Sequence, residues 1–220
     1  MRSHPPHEAP TVRARPSGPT FTETARRRQL LDAAVDAVTE LGYHRASLAE
    51  IAKRAAIAKS AVVYYFTAKE ALLLELVDSV FTALGDDLVS AVAGMSGPTD
   101  RLRAYAEAYL AHVDAHRRRI AAAVEIVVSH RLADGRPLYL VEADDDTALL
   151  RGILAQGMED GAFRRLPLDV AVGLAESVLD RAITVVQRDP DADLRDLRRH
   201  ALPFLLRAFA VGEDDIGEGP

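Results

Sequence analysis

The side chains best suited to chemistry fall in two groups. Lys59, Ser60, Tyr64, Tyr65 and Lys69 put two cations, a hydroxyl and two phenols within eleven residues. Such donors suit phosphate oxygens and base edges. The second group is Tyr105, Tyr109, His112, His116 and Glu125. Two histidines four apart on a helix can share a metal ion. Here His116 runs into Arg117, Arg118 and Arg119, a poor setting for a cation, so the expected reading is solvated histidines and no metal site. Tyr105 and Tyr109 share an apolar stripe with Leu102, Leu110 and Val113, more often core than pocket wall. Glu125 stands among aliphatics in IAAAVEIVVSH, where unpaired burial is costly. A partner, solvent or a pocket wall would each account for it. No Glu-x-x-His pair of a di-iron bundle and no other catalytic constellation occurs, so neither enzyme activity nor a cofactor is expected.

These groups must be carried by helices. In FTETARRRQLLDAAVDAVTELG, Leu30, Leu31, Ala34, Val35, Val38 and Leu41 make one apolar stripe, and Gly42 stops it. Thr20 and Glu23 have capping-box spacing at its start, as do Ser47 with Glu50 and Thr67 with Glu70. A helix from Leu48 with inner face Leu48, Ile51, Ala52 and Ala55 is too short to stand alone. A break near Ala55–Ala58 separates it from a second short helix, Lys59 to Tyr65. Small Ala52 where two helices cross, a turn, then buried Val62 is helix–turn–helix spacing. Further helices are expected near 68–94, 99–114, 117–132, 139–160, 168–187 and 192–210, the last bent by Pro203. The fold class is all-α.

Charge divides the chain. Overall it carries −6, but residues 1–70 hold 11 Lys and Arg against 7 Asp and Glu, and all three lysines. That asymmetry suggests a basic nucleic-acid module on an acidic body. Residues 1–20, with five prolines, read as a disordered arm, and 212–220 as an acidic tail. Asp144–Asp146 reads as an exposed charge run. With no cysteine, no signal-type apolar stretch and no membrane-length apolar run, the expected location is cytoplasmic.

The sequence LGY at 41–43, then SLAEIAKRA at 47–55, then YYFTAKEALL at 64–73 resembles the DNA-binding domain of tetracycline-repressor (TetR) family regulators. The resemblance implies a three-helix DNA-binding domain over 21–75 and a ligand-binding and dimerisation domain over 76–211. Ala56 replaces the family's common turn glycine; a left-handed alanine costs ~1–2 kcal/mol. Ala58 lacks the oxygen of a Ser or Thr cap, a loss of ~1 kcal/mol. Ser60 and Val63 also depart from the common Gly and Tyr.

On this reading Val62 and Phe66 face inward, and Lys59, Ser60, Ala61, Val63 and Tyr64 face out. Lys59 and Ser60 would reach base edges or phosphates, and Ala61 and Val63 thymine methyls. The resemblance implies that Ser47, Tyr64, Tyr65 and Lys69 clamp the DNA backbone. Arg26–Arg28 divide evenly between a solvated face and phosphate contact. Arg13 and Arg15 read as part of a mobile tail rather than a minor-groove arm. The last two helices resemble the family's dimerisation helices, through Leu194, Leu197, Ala201, Leu205 and Ala208. The implied function is a homodimeric transcriptional repressor on a palindromic double-stranded DNA operator, released by a small-molecule effector, with Tyr105, Tyr109 and Glu125 as tentative pocket residues. The alternative is a ligand-independent architectural DNA-binding protein whose C-terminal domain serves only dimerisation.

Overall fold

The computed structural model describes residues 21–140 and 147–211. The arm with Arg13, Arg15 and Thr20, the run Asp144–Asp146 and the tail 212–220 lie outside the described residues. The described residues are helical, with no β-strand among them.

Helix α1 (Phe21–Leu41) buries Leu30, Leu31, Ala34, Val35 and Val38 on the stripe read from its spacing. Gly42, at φ 78°, turns the chain out of it. Helices α2 (Leu48–Arg54) and α3 (Lys59–Tyr65) follow. They pack on each other, and α2 packs on α1. Two-turn helices gain little from propensity, so buried Ile51, Ala52, Val62 and Phe66 hold them in place. Helix α4 (Lys69–Val92) runs from this unit into the body and packs on α1, α5 (Pro98–Ala115) and α6 (Arg117–Ser129). The body closes with α7 (Ala148–Glu159), α8 (Leu168–Leu179), α9 (Arg181–Arg188) and α10 (Arg195–Phe209).

Three expectations need correction. The single helix near 139–160 is a short 3-10 turn at Leu138–Leu140 and a separate α7 from Ala148. The helix near 168–187 is two helices that meet at Asp180. Its carboxylate accepts the Tyr109 hydroxyl, which anchors the corner on α5. Finally, α4 is not started by a Thr67 box. Its N-cap is Ala68, which supplies no side-chain bond.

The α10 stripe also turns the other way from a simple dimer face. Leu194, Ala201 and Leu205 are buried within the chain. Pro203 is accommodated within α10, and Phe204 beside it is 60% exposed. Leu174 and Val170 on α8 are also exposed, and α8 packs on α10. Ser177, Val178, Leu197, Ala201, Phe204 and Ala208 help to line a groove of about 800 Å³ there.

Candidate nucleic-acid interface

The unit that presents α3 is fastened at both ends of α2. Ser47 Oγ accepts the Glu50 amide at 3.2 Å. Only half of the capping box forms, because the Glu50 carboxylate instead takes Arg54 at 2.7 Å. Arg54 also reaches Glu40 on α1 at 2.8 Å, which ties α2 to its support. At the far end, Gln29 donates to the Ala55 carbonyl at 2.8 Å. Ala56 then takes φ 54°, the left-handed turn expected of a glycine. Ala58 caps α3 without a side-chain bond.

This places the α3 side chains as the spacing requires. Val62 and Phe66 are buried. Lys59, Ser60, Val63 and Tyr64 are exposed, Tyr64 by 81%, and Ala61 is half-buried. Tyr65 is half-buried and stacks edge-on against Tyr64 at 5.0 Å. Ser47 is exposed, and its hydroxyl proton is not consumed by the cap. A seven-residue helix is about 10 Å long. That length suits a major groove ~12 Å wide.

The cations divide by whether they are already engaged. Arg27 sits over the Phe66 ring at 4.5 Å, bonds the Tyr65 carbonyl at 3.1 Å and pairs with Glu75 of α4. The Glu75 carboxylate, its hydrogen-bond partner, pushes the Arg27 pKa up. This side chain braces α3 against α1 and α4. Arg26 bonds Gln29, whereas Arg28 is exposed. Lys69 donates to the carbonyls of Tyr43 at 2.5 Å and His44 at 3.3 Å, with its ammonium 4.4 Å from the Tyr43 ring centre. Burial pulls its pKa down.

Sequence reasoning missed Tyr43 as a junction between the α1–α3 unit and the body. Its hydroxyl shares a 2.8 Å hydrogen bond with buried His130 Nδ1, and burial pushes its pKa up. Its amide donates to Glu125 at 3.3 Å, and Ser129 donates to the same carboxylate at 3.1 Å. Glu125 has therefore found partners, the first of its three readings. Arg118 and Arg119 of α6 add ion pairs to Asp36 and Asp32 of α1. The LGY motif was visible, but partners more than eighty residues away were not.

Tyr105 and Tyr109 lie elsewhere, buried against α8 and α9. Tyr109 donates to Asp180. Burial, with the Glu176 and Asp180 charges, pushes the Tyr105 hydroxyl up to about 12 and raises Tyr109 further. Burial also raises Asp180, against the lowering effect of the Tyr109 bond. Tyr109 thus bonds to the α8–α9 corner, whereas Glu125 bonds to Tyr43 and Ser129. The structure also overturns the solvated reading for His112, which is buried with Nδ1 2.6 Å from Asp87.

Comparison with known proteins bears on the α1–α4 segment first. Residues 30–76 match the profile of the family described as bacterial regulatory proteins, tetR family. The chain carries a tetR-family domain. The HTH-type transcriptional regulator BetI of Yersinia pestis (strain Pestoides F) is 40% identical over 84 residues, 37% of this chain and 42% of BetI. BetI of Escherichia coli O45:K1 (strain S88 / ExPEC) is 32% identical over 81 residues, again 42% of its length. The matched region thus spans well under half of these curated relatives. The whole fold is shared with the fatty acid degradation regulator FadR of Bacillus halodurans, at TM-score 0.71 and 24% identity over 82% of this chain and 94% of that one. FadR of Bacillus subtilis, solved in complex with stearoyl-CoA, gives TM-score 0.69 and 21% identity over 83% and 98%. These likenesses show the shared helical fold, in which the segment that matches the tetR profile lies at the N-terminal end of a helical body. No described helix is long and apolar enough to cross a membrane.

Proposed function

We propose that this chain is a dimeric, ligand-responsive transcriptional repressor that binds a palindromic operator. Residues 21–75 form the reading head and 76–211 the ligand-binding and dimerisation body. The observation that carries the reading is the outward face of α3, where Lys59, Ser60, Val63 and Tyr64 project from a buried, braced base. Lys59 and Ser60 meet base edges, while Ala61 and Val63 meet thymine methyls. Ser47, Tyr64 and Tyr65 hold phosphates, which fix register without reading sequence. Lys69 adds charge to that contact while its ammonium fixes the loop at Tyr43–His44. The uncapped N-terminus of α4 supplies amides to the same phosphates. Arg27 is occupied by Glu75 and takes no part.

The effector is a small molecule that binds in the body beside Tyr105, Tyr109 and Asp180, where phenols and a carboxylate are gathered among apolar side chains. The stearoyl-CoA bound by the Bacillus subtilis regulator supports a small-molecule effector for this fold. Glu125 belongs to the output: with Tyr43, Arg118 and Arg119 it couples any shift of α6 to the head. Dimerisation uses the exposed apolar face of α8 and α10 around Leu174 and Phe204.

Fluorescence anisotropy on a duplex selected by the protein from a random pool tests the head. Lys59→Ala should erode discrimination between selected and random duplex by ~1–3 kcal/mol if Lys59 bonds a guanine. An unchanged ratio removes Lys59 from base reading. No selective binding by the unaltered protein rejects the function.

A further inference from the structure

We propose that His112, His116 and Asp87 form a binding site for a divalent transition-metal ion of the zinc class, at the corner where α4, α5 and α6 meet. One donor atom from each residue lies within 4.8 Å of the others. His112 and His116 present rings 4.4 Å apart from successive turns at the end of α5, and Asp87 approaches from α4. Two imidazoles and one carboxylate are the donor set of many tetrahedral sites with an open fourth position.

The site has one fixed ligand and two adjustable ones. The His112 side chain is 3% exposed and held in the α4–α5 packing, whereas Asp87 is 59% exposed and His116 is exposed. Zinc bonds of ~2.0–2.1 Å at tetrahedral angles require donor atoms ~3.3 Å apart. Small shifts of His116 and Asp87 reach that spacing. The ion takes the place of the proton in the hydrogen bond between His112 Nδ1 and Asp87, so that both become ligands.

The neighbouring arginines do not oppose an ion as their sequence position suggests. Arg117 is turned to Asp114 at 3.0 Å and to the carbonyls of Pro190 and Ala192 at 2.9 and 2.6 Å. Arg118 and Arg119 are paired with Asp36 and Asp32 on α1. Each cation next to His116 is thus matched elsewhere. The nitrogen donors disfavour magnesium and calcium, which prefer oxygen.

The site does not rest on the proposed DNA binding and is tested without it. Full-length, chelator-treated protein is titrated with Zn²⁺ by calorimetry and with Co²⁺ by visible absorption, with Mg²⁺ as control. We expect one Zn²⁺ bound with micromolar or tighter affinity, cobalt bands of four-coordinate type and no magnesium binding. His116→Ala alters an exposed side chain, and circular dichroism checks its fold. It should weaken zinc at least tenfold and abolish the zinc-induced rise in melting temperature, and Asp87→Asn should also weaken it. His4 and His7 are retained in all variants, so adventitious binding to the N-terminal segment cannot produce the difference. If neither substitution changes zinc affinity, or no ion binds at micromolar concentration, the cluster is only a helix-pairing contact and the proposal fails.

Discussion

Ala56 carries a left-handed backbone, φ 54°, at the turn that sets the angle between α2 and α3. An alanine there costs ~1–2 kcal/mol, and glycine removes the clash while enlarging the unfolded ensemble. Ala56→Gly should therefore raise stability by a few tenths to about 1 kcal/mol, read as a higher melting temperature. An unchanged or lower value would show that the turn is unstrained. Asp180 makes a second residue-scale test. Burial raises its pKa above the ordinary 3.8, so between the two values the folded state holds a proton that the unfolded state has lost. That contribution is full below about pH 4 and fades as pH rises through the folded pKa. Asp180→Asn keeps an acceptor for Tyr109 but cannot titrate, so chemical denaturation across pH should show the unaltered protein losing stability relative to the variant as pH rises above about 4. Equal slopes would contradict the burial argument. Roles set by local spacing, such as Ser47 as cap and Val62 as buried anchor, could be read from sequence. Roles set by a distant partner, such as Tyr43 with His130 or Tyr109 with Asp180, carried no local signal.

Helices behaved in the same way. Ends marked by glycine or proline, such as Gly42 and Pro98, were legible because those residues restrict or free φ directly. The corner at Asp180 was not, since no breaker marks it and its side-chain bond runs to another helix. Gly157 of α7 is a close-approach glycine of the kind that periodicity also hides. A Cβ there would lie 2.0 Å from the Phe163 ring, which is buried and packs near Phe209 of α10. The Arg164 amide donates to the Phe209 carbonyl, so this loop also anchors α10. Gly157→Ala should destabilise by about 1–3 kcal/mol through overpacking, measured by denaturant unfolding. Adding Phe163→Leu should recover part of the loss. A neutral Gly157→Ala would mean that the ring moves aside freely.

At the scale of the whole molecule, net charge changes sign between the N-terminal part and the body. Lysines occur only in the N-terminal part, while exposed Leu174 and Phe204 lie on α8 and α10 in the acidic body. A head of two short helices covers one half-site, so an operator-binding protein of this build needs two heads related by symmetry. The apolar stripe read from α10 was real, but most of it packs inside the chain; the face left for a partner includes Phe204, which the stripe omitted. Periodicity identifies that a helix has a buried side, not whether its neighbour is its own chain or another. Stoichiometry on DNA is therefore the decisive property. Sedimentation equilibrium of the full chain with its selected duplex should give two protomers bound per inverted repeat, with half-site centres separated by whole helical turns of ~34 Å. Phe204→Asp should break the dimer and with it tight binding. One protomer per duplex, or a monomer at micromolar concentration that still binds the operator tightly, would contradict it.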